Sequence, residues 1–417
     1  MNNMTDRFQK GDPAHLARRY SSERRFKAYG AAALAISVLF LAYLIIDIGI
    51  KAWPSFFEHQ LVLDVNLDSS RISSADVLKG DFEGLVKDGL RDAFPNVTAR
   101  GDKKKLVSLL SAGAADDLRS QTAANPSSIG TTVKTTALLS DEADLYLKGS
   151  KADSGLDDQS ISFLETLLDK GMIEKHFAWR FFTSGDSREP ELAGLRGAIT
   201  GSLLTLIMTL TLSVPLGIAA AVYLEEFAPK NKWTVFIEVN INNLAAVPSI
   251  IFGLLGLAVF INFFGLPRSA PLVGGLVLAL LVLPTIIIAS RAALNAVPPS
   301  IKEAALGVGA SHQQAVFHHV LPLAVPGILT GTILGVARAL GETAPLLMIG
   351  MVAFIVDIPK GFTEAATVLP VQIFLWSDLP EVAFQSRTAA AIIVLLVILF
   401  CFNAIAIYLR KHFERRW

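Results

Sequence analysis

The sequence predicts an all-α polytopic membrane protein of six transmembrane helices that carries one extracytoplasmic α+β insertion. Three observations predict it. Of 417 residues, 52% are hydrophobic and 18% charged, against about 45–50% and about 25% in ordinary soluble domains. The mean hydropathy is correspondingly high, at +0.49. The apolar residues are gathered into six runs of roughly twenty or more, the length that crosses a bilayer, and one long polar stretch separates the first two runs.

Lys plus Arg equals Asp plus Glu at 37 each, so net charge makes no case for a nucleic-acid partner. The single cysteine, Cys401, lies inside an apolar run. One thiol builds neither a disulfide framework nor a cysteine zinc site within the chain, and Cys401 reads as a small buried hydrophobe.

The first run, residues 29–50, follows a basic segment over residues 1–28. A signal peptide has a shorter apolar core and a small-residue cleavage site; here Asp47, Gly49 and Lys51 lead into Trp53-Pro54, so the run reads as a retained anchor. Five further runs cover residues 196–224, 235–264, 272–294, 322–356 and 387–409. Orientation follows from the basic residues at the ends, which stay cytoplasmic. Seven lie in the first 28 residues (Arg7, Lys10, Arg18, Arg19, Arg24, Arg25, Lys27) and four in the tail 410–417 (Arg410, Lys411, Arg415, Arg416). Both termini are therefore expected inside, as an even helix count requires, with residues 51–195 outside and residues 295–322 inside.

Residues 51–195 hold 17 Lys/Arg against 23 Asp/Glu, a net charge of −6, which disfavours direct capture of an anion there. His59, Leu61, Leu63, Val65 and Leu67 alternate with mostly polar neighbours and predict a strand, whereas Phe82, Val86, Leu90 and Phe94 recur at helical spacing. The Ser-, Thr-, Asn- and Gly-rich stretch 120–136 predicts a loop. No metal cluster, catalytic constellation or cofactor is expected.

In the inner segment, Glu303-Ala304-Ala305-Leu306-Gly307-Val308-Gly309-Ala310 runs on to Leu321-Pro322. A helix over about residues 300–306, a break at Gly307/Gly309 and a second helix up to Pro322 make an elbow across the membrane face. Such an elbow can enter a groove on a soluble partner; a plain linker with a tight turn is the other reading. In the fifth run, Arg338 and Glu342 stand four residues apart, on one side of a helix where they can pair. An arginine at mid-span costs about 2.5–3.5 kcal/mol on insertion scales, so both should face a protein or aqueous interior. A buried pair that fixes helix register is the structural alternative. Gly327, Gly331 and Gly335 with Ala339 form a small-residue stripe suited to close helix packing, and Pro326 and Pro345 are expected to kink or interrupt the helix. Asn240, Asn242 and Asn243 read as interhelical glue, Arg291 as a snorkelling anchor and Asp47 as interfacial.

These stretches resemble a known family. Glu303-Ala304-Ala305, three residues, Gly309, nine residues, then position 319 and Leu321-Pro322 has the spacing of the coupling motif of ABC importer permeases, with His319 where the family places an apolar residue. Residues 243–257 and 337–347, the latter including Gly341-Glu342-Thr343-Ala344-Pro345-Leu346-Leu347, are similar to signatures of phosphate importer permeases, in the form of the PstA subunit rather than PstC. Tyr223-Leu224-Glu225-Glu226-Phe227-Ala228-Pro229 and residues 369–374 fit the same family. The likeness covers residues 196–417 and says little about the insertion.

The resemblance implies a type I ABC importer permease core over residues 196–409. It implies inner-membrane residence and import of inorganic phosphate by alternating access. Glu303, Ala304, Ala305 and Gly309 would couple to the ATPase, and Arg338 with Glu342 would line the substrate pathway. A guanidinium fork suits a phosphate oxyanion, and a neighbouring carboxylate holds the arginine between passages. The implied partners are a homologous PstC-like permease, a PstB-like ATP-binding dimer, an extracytoplasmic PstS-like phosphate-binding protein and membrane lipid, with no nucleic acid. The chain has no Gly-x-x-x-x-Gly-Lys-[Ser/Thr] loop, so it is not expected to be an enzyme and nucleotide chemistry falls to a separate subunit. Another oxyanion such as sulfate or molybdate remains open as substrate. A secondary transporter or membrane-anchored sensor is the alternative from another class.

Overall fold

The structure, a computed structural model, describes residues 13–72, 77–352 and 354–413. Arg7, Lys10, Arg415 and Arg416 of the basic ends lie outside the described residues. The described chain forms two compact units that divide after Lys51.

The described part of the first unit lies in one helix, α1 (Pro13–Ala52), which begins well before residue 29 because the basic segment joins it. Lys27 pairs with Glu23 at 2.6 Å and Lys51 with Asp47 at 2.8 Å, both one turn apart, the spacing at which helical side chains meet. Its apolar side chains, Leu34, Phe40 and Ile46 among them, are exposed.

The second unit opens with the insertion. A three-stranded antiparallel sheet is formed by β1 (Phe57–Asn66), β2 (Thr132–Leu138) and β3 (Ile173–Phe177), with β1 in the centre. The alternation in β1 is observed: Leu61, Leu63, Val65 and Leu67 are buried, while Asp64 and Asn66 are exposed, as a sheet with one covered face requires. Helix α2 (Phe82–Asp92) begins where the Asp81 carboxylate accepts from Gly84 N at 3.0 Å and covers that face with Phe82, Val86 and Leu90. Helices α3 (Arg100–Val107), α4 (Asp116–Ala124), α5 (Asp141–Leu147) and α6 (Asp158–Asp169) complete the core with Leu106, Leu118, Ala143, Leu164 and Leu167. The loop expected over 120–136 is corrected: its first residues finish α4 and its last ones start β2. Thr132, Val133, Thr135 and Thr136 are all β-branched, and pairing with β1 decides their state. A short helix, α7 (Arg180–Thr183), leads to the spans.

Helix α8 (Arg196–Val222) is followed by a π-helical turn, Tyr223–Phe227. The run expected as one helix over 235–264 is two, α9 (Lys232–Ala245) and α10 (Ser249–Leu255), the latter extended by a π-helical stretch to Phe263. The two arms meet at 103°. Pro248 explains the break, since a proline disfavours the helical conformation at the residue before it. Each arm is about 21–23 Å long at 1.5 Å per residue, short of the roughly 30 Å hydrocarbon core. Five continuous helical runs among the described residues are long and apolar enough to span, and the bent pair occupies the sixth place.

Helix α11 (Pro271–Asn295) is the most enclosed span, with Val273, Val277, Leu281, Val282 and Ile286 at its core face. It is followed by α12 (Pro299–Gly307), α13 (His312–Ala315), a π-helical turn Val316–Val320 and α14 (Leu321–Gly341). Helix α14 stops at Gly341, short of the expected residue 356. Pro345 cannot continue a helix without striking the carbonyl four residues back, which belongs to Gly341. Pro326, by contrast, sits inside α14 without interrupting it. The expected small-residue stripe faces α11: a Cβ on Gly331 would lie 2.2 Å from Ala289 Cβ, and one on Gly327 2.6 Å from Ala293 Cβ. Helices α15 (Ala344–Met348), α16 (Leu369–Ser377) and α17 (Val382–Phe413) complete the chain. Cys401, expected to be buried, is exposed on α17, because that part of the helix is not covered by this chain.

The insertion is tied to these helices by polar contacts. Ser55 Oγ donates to Ser386 Oγ at 2.9 Å, and Trp376 Nε1 donates to Asp186 Oδ1 at 2.9 Å.

Candidate functional site

Three constellations carry charge or special backbone at the membrane helices. The first is the elbow. Helix α12 ends in a Schellman motif: Gly309 has φ +94°, its N–H donates to Leu306 O at 3.0 Å, and Ala310 N–H donates to Ala305 O at 3.1 Å. The next helix starts at once with a capping box, Ser311 Oγ accepting from Gln314 N at 3.2 Å while Gln314 Oε1 accepts from Ser311 N at 2.8 Å. Stop and restart are thus two residues apart, and both are written in local sequence. Ala305 is buried against the protein, whereas Glu303, Ala304 and Gly309 are exposed. Val308 is 89% exposed at the bend, with Leu306 and Phe317 also open. His319 is exposed, and Val316 and Val320 make the packing contacts instead, so a histidine at that position costs the elbow no core.

Residues at the end of α8 hold the elbow. The Glu226 carboxylate pairs with Lys302 on α12, and its carbonyl accepts from His312 Nε2 at 2.8 Å on α13. One residue therefore grips both arms. The His312 ring packs edge-on to Phe227, with centroids 5.0 Å apart. Next to it, Arg291 Nε donates to Glu225 Oε2 at 3.1 Å and Arg291 Nη2 to Glu238 Oε1 at 2.8 Å. Arg291 is thus a three-helix tie, not a snorkelling anchor. Sequence reasoning missed Glu225 and Glu238 as partners of Arg291, and Glu226 as the partner of Lys302 and His312. The available signal was the acidic pair at the end of an apolar run.

The second constellation lies at the opposite end of the same continuous helix. From His312 to Arg338 is about 39 Å at 1.5 Å per residue. Arg338 occupies the last turn of α14, and Glu342 follows where the helix has opened, with ψ 124°. Arg338 Nε lies 3.5 Å from Glu342 Oε1, and their side chains are 37% and 21% exposed. The pair expected from the i,i+4 spacing exists, but Glu342 reaches it from the break and not from a helical turn. While Gly331, Gly335 and Ala339 press on neighbours, Leu334 is exposed and Arg338 and Glu342 are half-buried, on a side this chain only partly covers. Asn240 is exposed and donates to its own helix at Phe236 O, 2.8 Å away, so within this chain it glues no helix pair.

The third constellation was not singled out from sequence. Arg387, near the start of α17, is 5% exposed, with Glu58 on β1, Asp144 on α5 and Glu191 also buried. Arg387 Nη2 donates to Glu191 O at 3.5 Å, and its guanidinium lies 5.2 Å from the centre of the Phe181 ring. Ser111 Oγ donates to Glu191 Oε1 at 2.6 Å, and His59 Nδ1 lies 2.8 Å from Asp144 Oδ1. Burial pushes the Glu191 carboxyl from 4.5 up to about 7, against the Ser111 hydrogen bond. Burial likewise raises Glu58. Among the described residues no group of His, Cys, Asp and Glu is arranged to hold a metal ion.

Comparison with known proteins bears on both halves of the chain. The family described as "Binding-protein-dependent transport system inner membrane component" matches residues 213–417, and a domain family of unknown function (DUF3333) matches residues 13–155. A relative in Mycobacterium tuberculosis (strain CDC 1551 / Oshkosh), "Phosphate transport system permease protein PstA 1", is 31% identical over 240 residues, covering 57% of this chain and 77% of that protein. "Probable ABC transporter permease protein YqgI" of Bacillus subtilis (strain 168) is 36% identical over 171 residues, 41% of this chain and 58% of that protein. The chain thus spans little more than half the length of that second relative. Among solved structures, the inward-facing MetNI methionine ABC transporter aligns over 52% of this chain and 95% of its own, at 17% identity and a TM-score of 0.42.

Proposed function

Since the chain belongs to the PstA-like permeases among the inner-membrane components of binding-protein-dependent transport systems, we propose that it is one permease half of an ATP-driven importer of inorganic phosphate. The observation that carries this reading is Arg338. Its guanidinium stands at the end of a span, on a side this chain only partly covers, and its 3.5 Å contact with Glu342 is longer than the roughly 2.7–2.9 Å of a tight charge-assisted bond. A phosphate oxyanion offers two oxygens to the planar fork and displaces so loose a carboxylate. The partly covered side is where a homologous PstC-like subunit completes the pathway. Phosphate is delivered by an extracytoplasmic PstS-like binding protein.

The elbow supplies the other half of the mechanism. With both termini inside, Glu303, Ala304, Gly309 and the exposed Leu306 and Val308 face a PstB-like ATPase dimer. Helix His312–Gly341 joins that contact to Arg338 as one continuous rod, so a tilt imposed at the elbow by ATP binding moves the arginine between the two sides of the membrane. The Glu226 grip makes α8 move with it. The chain itself contributes binding and motion; hydrolysis belongs to the separate subunit.

The test is reconstitution. An affinity-tagged chain should bring down an ATP-binding subunit and a second permease, and vesicles containing the complex should take up labelled phosphate on ATP addition, with no competition from excess sulfate or molybdate. Uptake of sulfate or molybdate in preference to phosphate would overturn the substrate assignment. Uptake driven by an ion gradient without ATP would overturn the class.

A further inference from the structure

The end of the insertion nearest the spans carries aromatic rings in the open. Trp53 is 63% exposed, Trp179 68% and Phe177 39%. Their grouping follows from the sheet. Phe57 opens β1, Phe177 closes β3, and the antiparallel register sets the two opposite each other, with ring centroids 6.0 Å apart and edge to face. Trp53 joins Phe57 at 5.3 Å, and Trp179 joins Phe177 at 4.8 Å. Four rings therefore make one continuous patch at one end of the sheet, backed by Phe56 and Phe182 stacked at 6.2 Å.

The depth of that patch is fixed by a hydrogen bond. Ser55, between Trp53 and Phe57, donates to Ser386, five residues into α17. The patch is thus level with the first turns of a membrane span. The same helix exposes apolar side chains, such as Val397 and Phe400, further along. Lys175 Nζ sits 4.6 Å above the Phe57 ring, so a cation borders the aromatics. Tryptophan bodies with a basic neighbour are the combination that the headgroup and glycerol level of a bilayer accommodates, apolar faces inward and polar edges wet.

We infer that this aromatic patch docks into the phospholipid interface of the leaflet next to the insertion, so that the insertion rests on the bilayer as well as on its tether. The occupant is lipid because Ser55 pins the patch to the first turns of α17, a helix long and apolar enough to span a membrane, and because Lys175 supplies the charge partner for a lipid phosphate. The inference depends on the chain spanning a membrane; it does not depend on the substrate or on which side the insertion lies.

The test reads tryptophan emission from the full chain in nanodiscs, alone and assembled with the partners it purifies with. The lipid is phosphatidylcholine, either plain or brominated near the headgroup or near the chain end. Subtracting the emission of the double variant Trp53→Phe with Trp179→Phe isolates the two rings while keeping an aromatic at each place. Headgroup-proximal bromine should lower that difference emission by about half, chain-end bromine should lower it less, and aqueous iodide should have little effect. Quenching by iodide with none by brominated lipid puts the patch in water and overturns the inference. Emission reached by neither quencher, or lipid quenching lost on assembly, puts a protein surface over the patch and overturns it equally. Circular dichroism of the double variant checks that the comparison is between folded chains.

Discussion

Arg338 can occupy a membrane helix because Glu342 meets it at 3.5 Å from the break just beyond the helix end, where the opened backbone is itself polar. If the arginine reads the anion, Arg338→Gln should abolish phosphate uptake while the ATPase complex still assembles, and Arg338→Lys should recover only part, since an ammonium lacks the two-pronged geometry. If the pair only fixes register, the double change Arg338→Gln with Glu342→Gln should restore uptake by removing both charges together. Uptake measured beside complex yield separates the two, and full uptake in the double variant removes Arg338 from the pathway. Glu191 makes a different kind of prediction. Its carboxyl titrates near 7 when folded and near 4.5 when unfolded, so between those values the folded chain holds a proton that the unfolded chain has released. Its contribution to stability is full below about 4.5 and declines as pH rises to about 7, by about 3 kcal/mol in total. Glu191→Gln should flatten that decline and raise the apparent Tm at neutral pH, read by thermal unfolding in detergent at several pH values. A slope identical to the parent's would rule out Glu191 as its source.

Among the elements, the elbow has the clearest local cause. Gly309 at φ +94° holds a conformation that costs a Cβ-bearing residue about 1–2 kcal/mol and that proline, fixed near −65°, cannot adopt. Gly309→Ala should lower stability by about 1 kcal/mol and leave transport measurable. Gly309→Pro should abolish coupling, so ATP hydrolysis by the assembled complex no longer drives uptake. Normal membrane insertion with parental uptake in Gly309→Pro would show that the elbow plays no part in coupling. Glu226→Gln is a subtler probe. It removes the Lys302 ion pair but keeps the backbone bond to His312, so one arm of the elbow loosens and the other stays. Uptake should fall by a fraction while the ATPase still co-purifies.

At the scale of the molecule, the insertion carries its own core. Leu61, Leu63, Val65, Phe82, Val86, Leu90, Leu106, Leu118, Leu164 and Leu167 pack together without any residue from the spans. A soluble fragment covering residues 57–178 should therefore unfold cooperatively in denaturant, followed by circular dichroism; a fragment without secondary structure would mean that the spans are needed to fold it. In the full chain the insertion does not hang free. Asp186 meets Trp376 on α16, Ser55 meets Ser386 on α17, and the buried Arg387 of α17 reaches Glu191 O, so three contacts tie the insertion to the last two helices.

The sequence by itself determined what depends on neighbours a few residues away. Hydropathy over twenty residues placed the apolar runs, period-two alternation placed β1, period-3.6 spacing placed α2, and Gly307 with Gly309 placed the break of the elbow. The i,i+4 spacing likewise brought Arg338 to Glu342. What escaped depends on partners far along the chain. Residues 132–136 look like loop until β1 supplies their hydrogen bonds, and Cys401 looks buried until the neighbours of α17 leave it uncovered. Pro326 and Pro345 are the same residue type, yet only the second coincides with a helix end. Glu226 gripping Lys302 and His312, and Arg387 buried with Glu191, join positions 76 or more residues apart. Tertiary structure alone decided these, because burial and ion pairing are set by which surfaces meet, and no local pattern in the chain encodes that meeting.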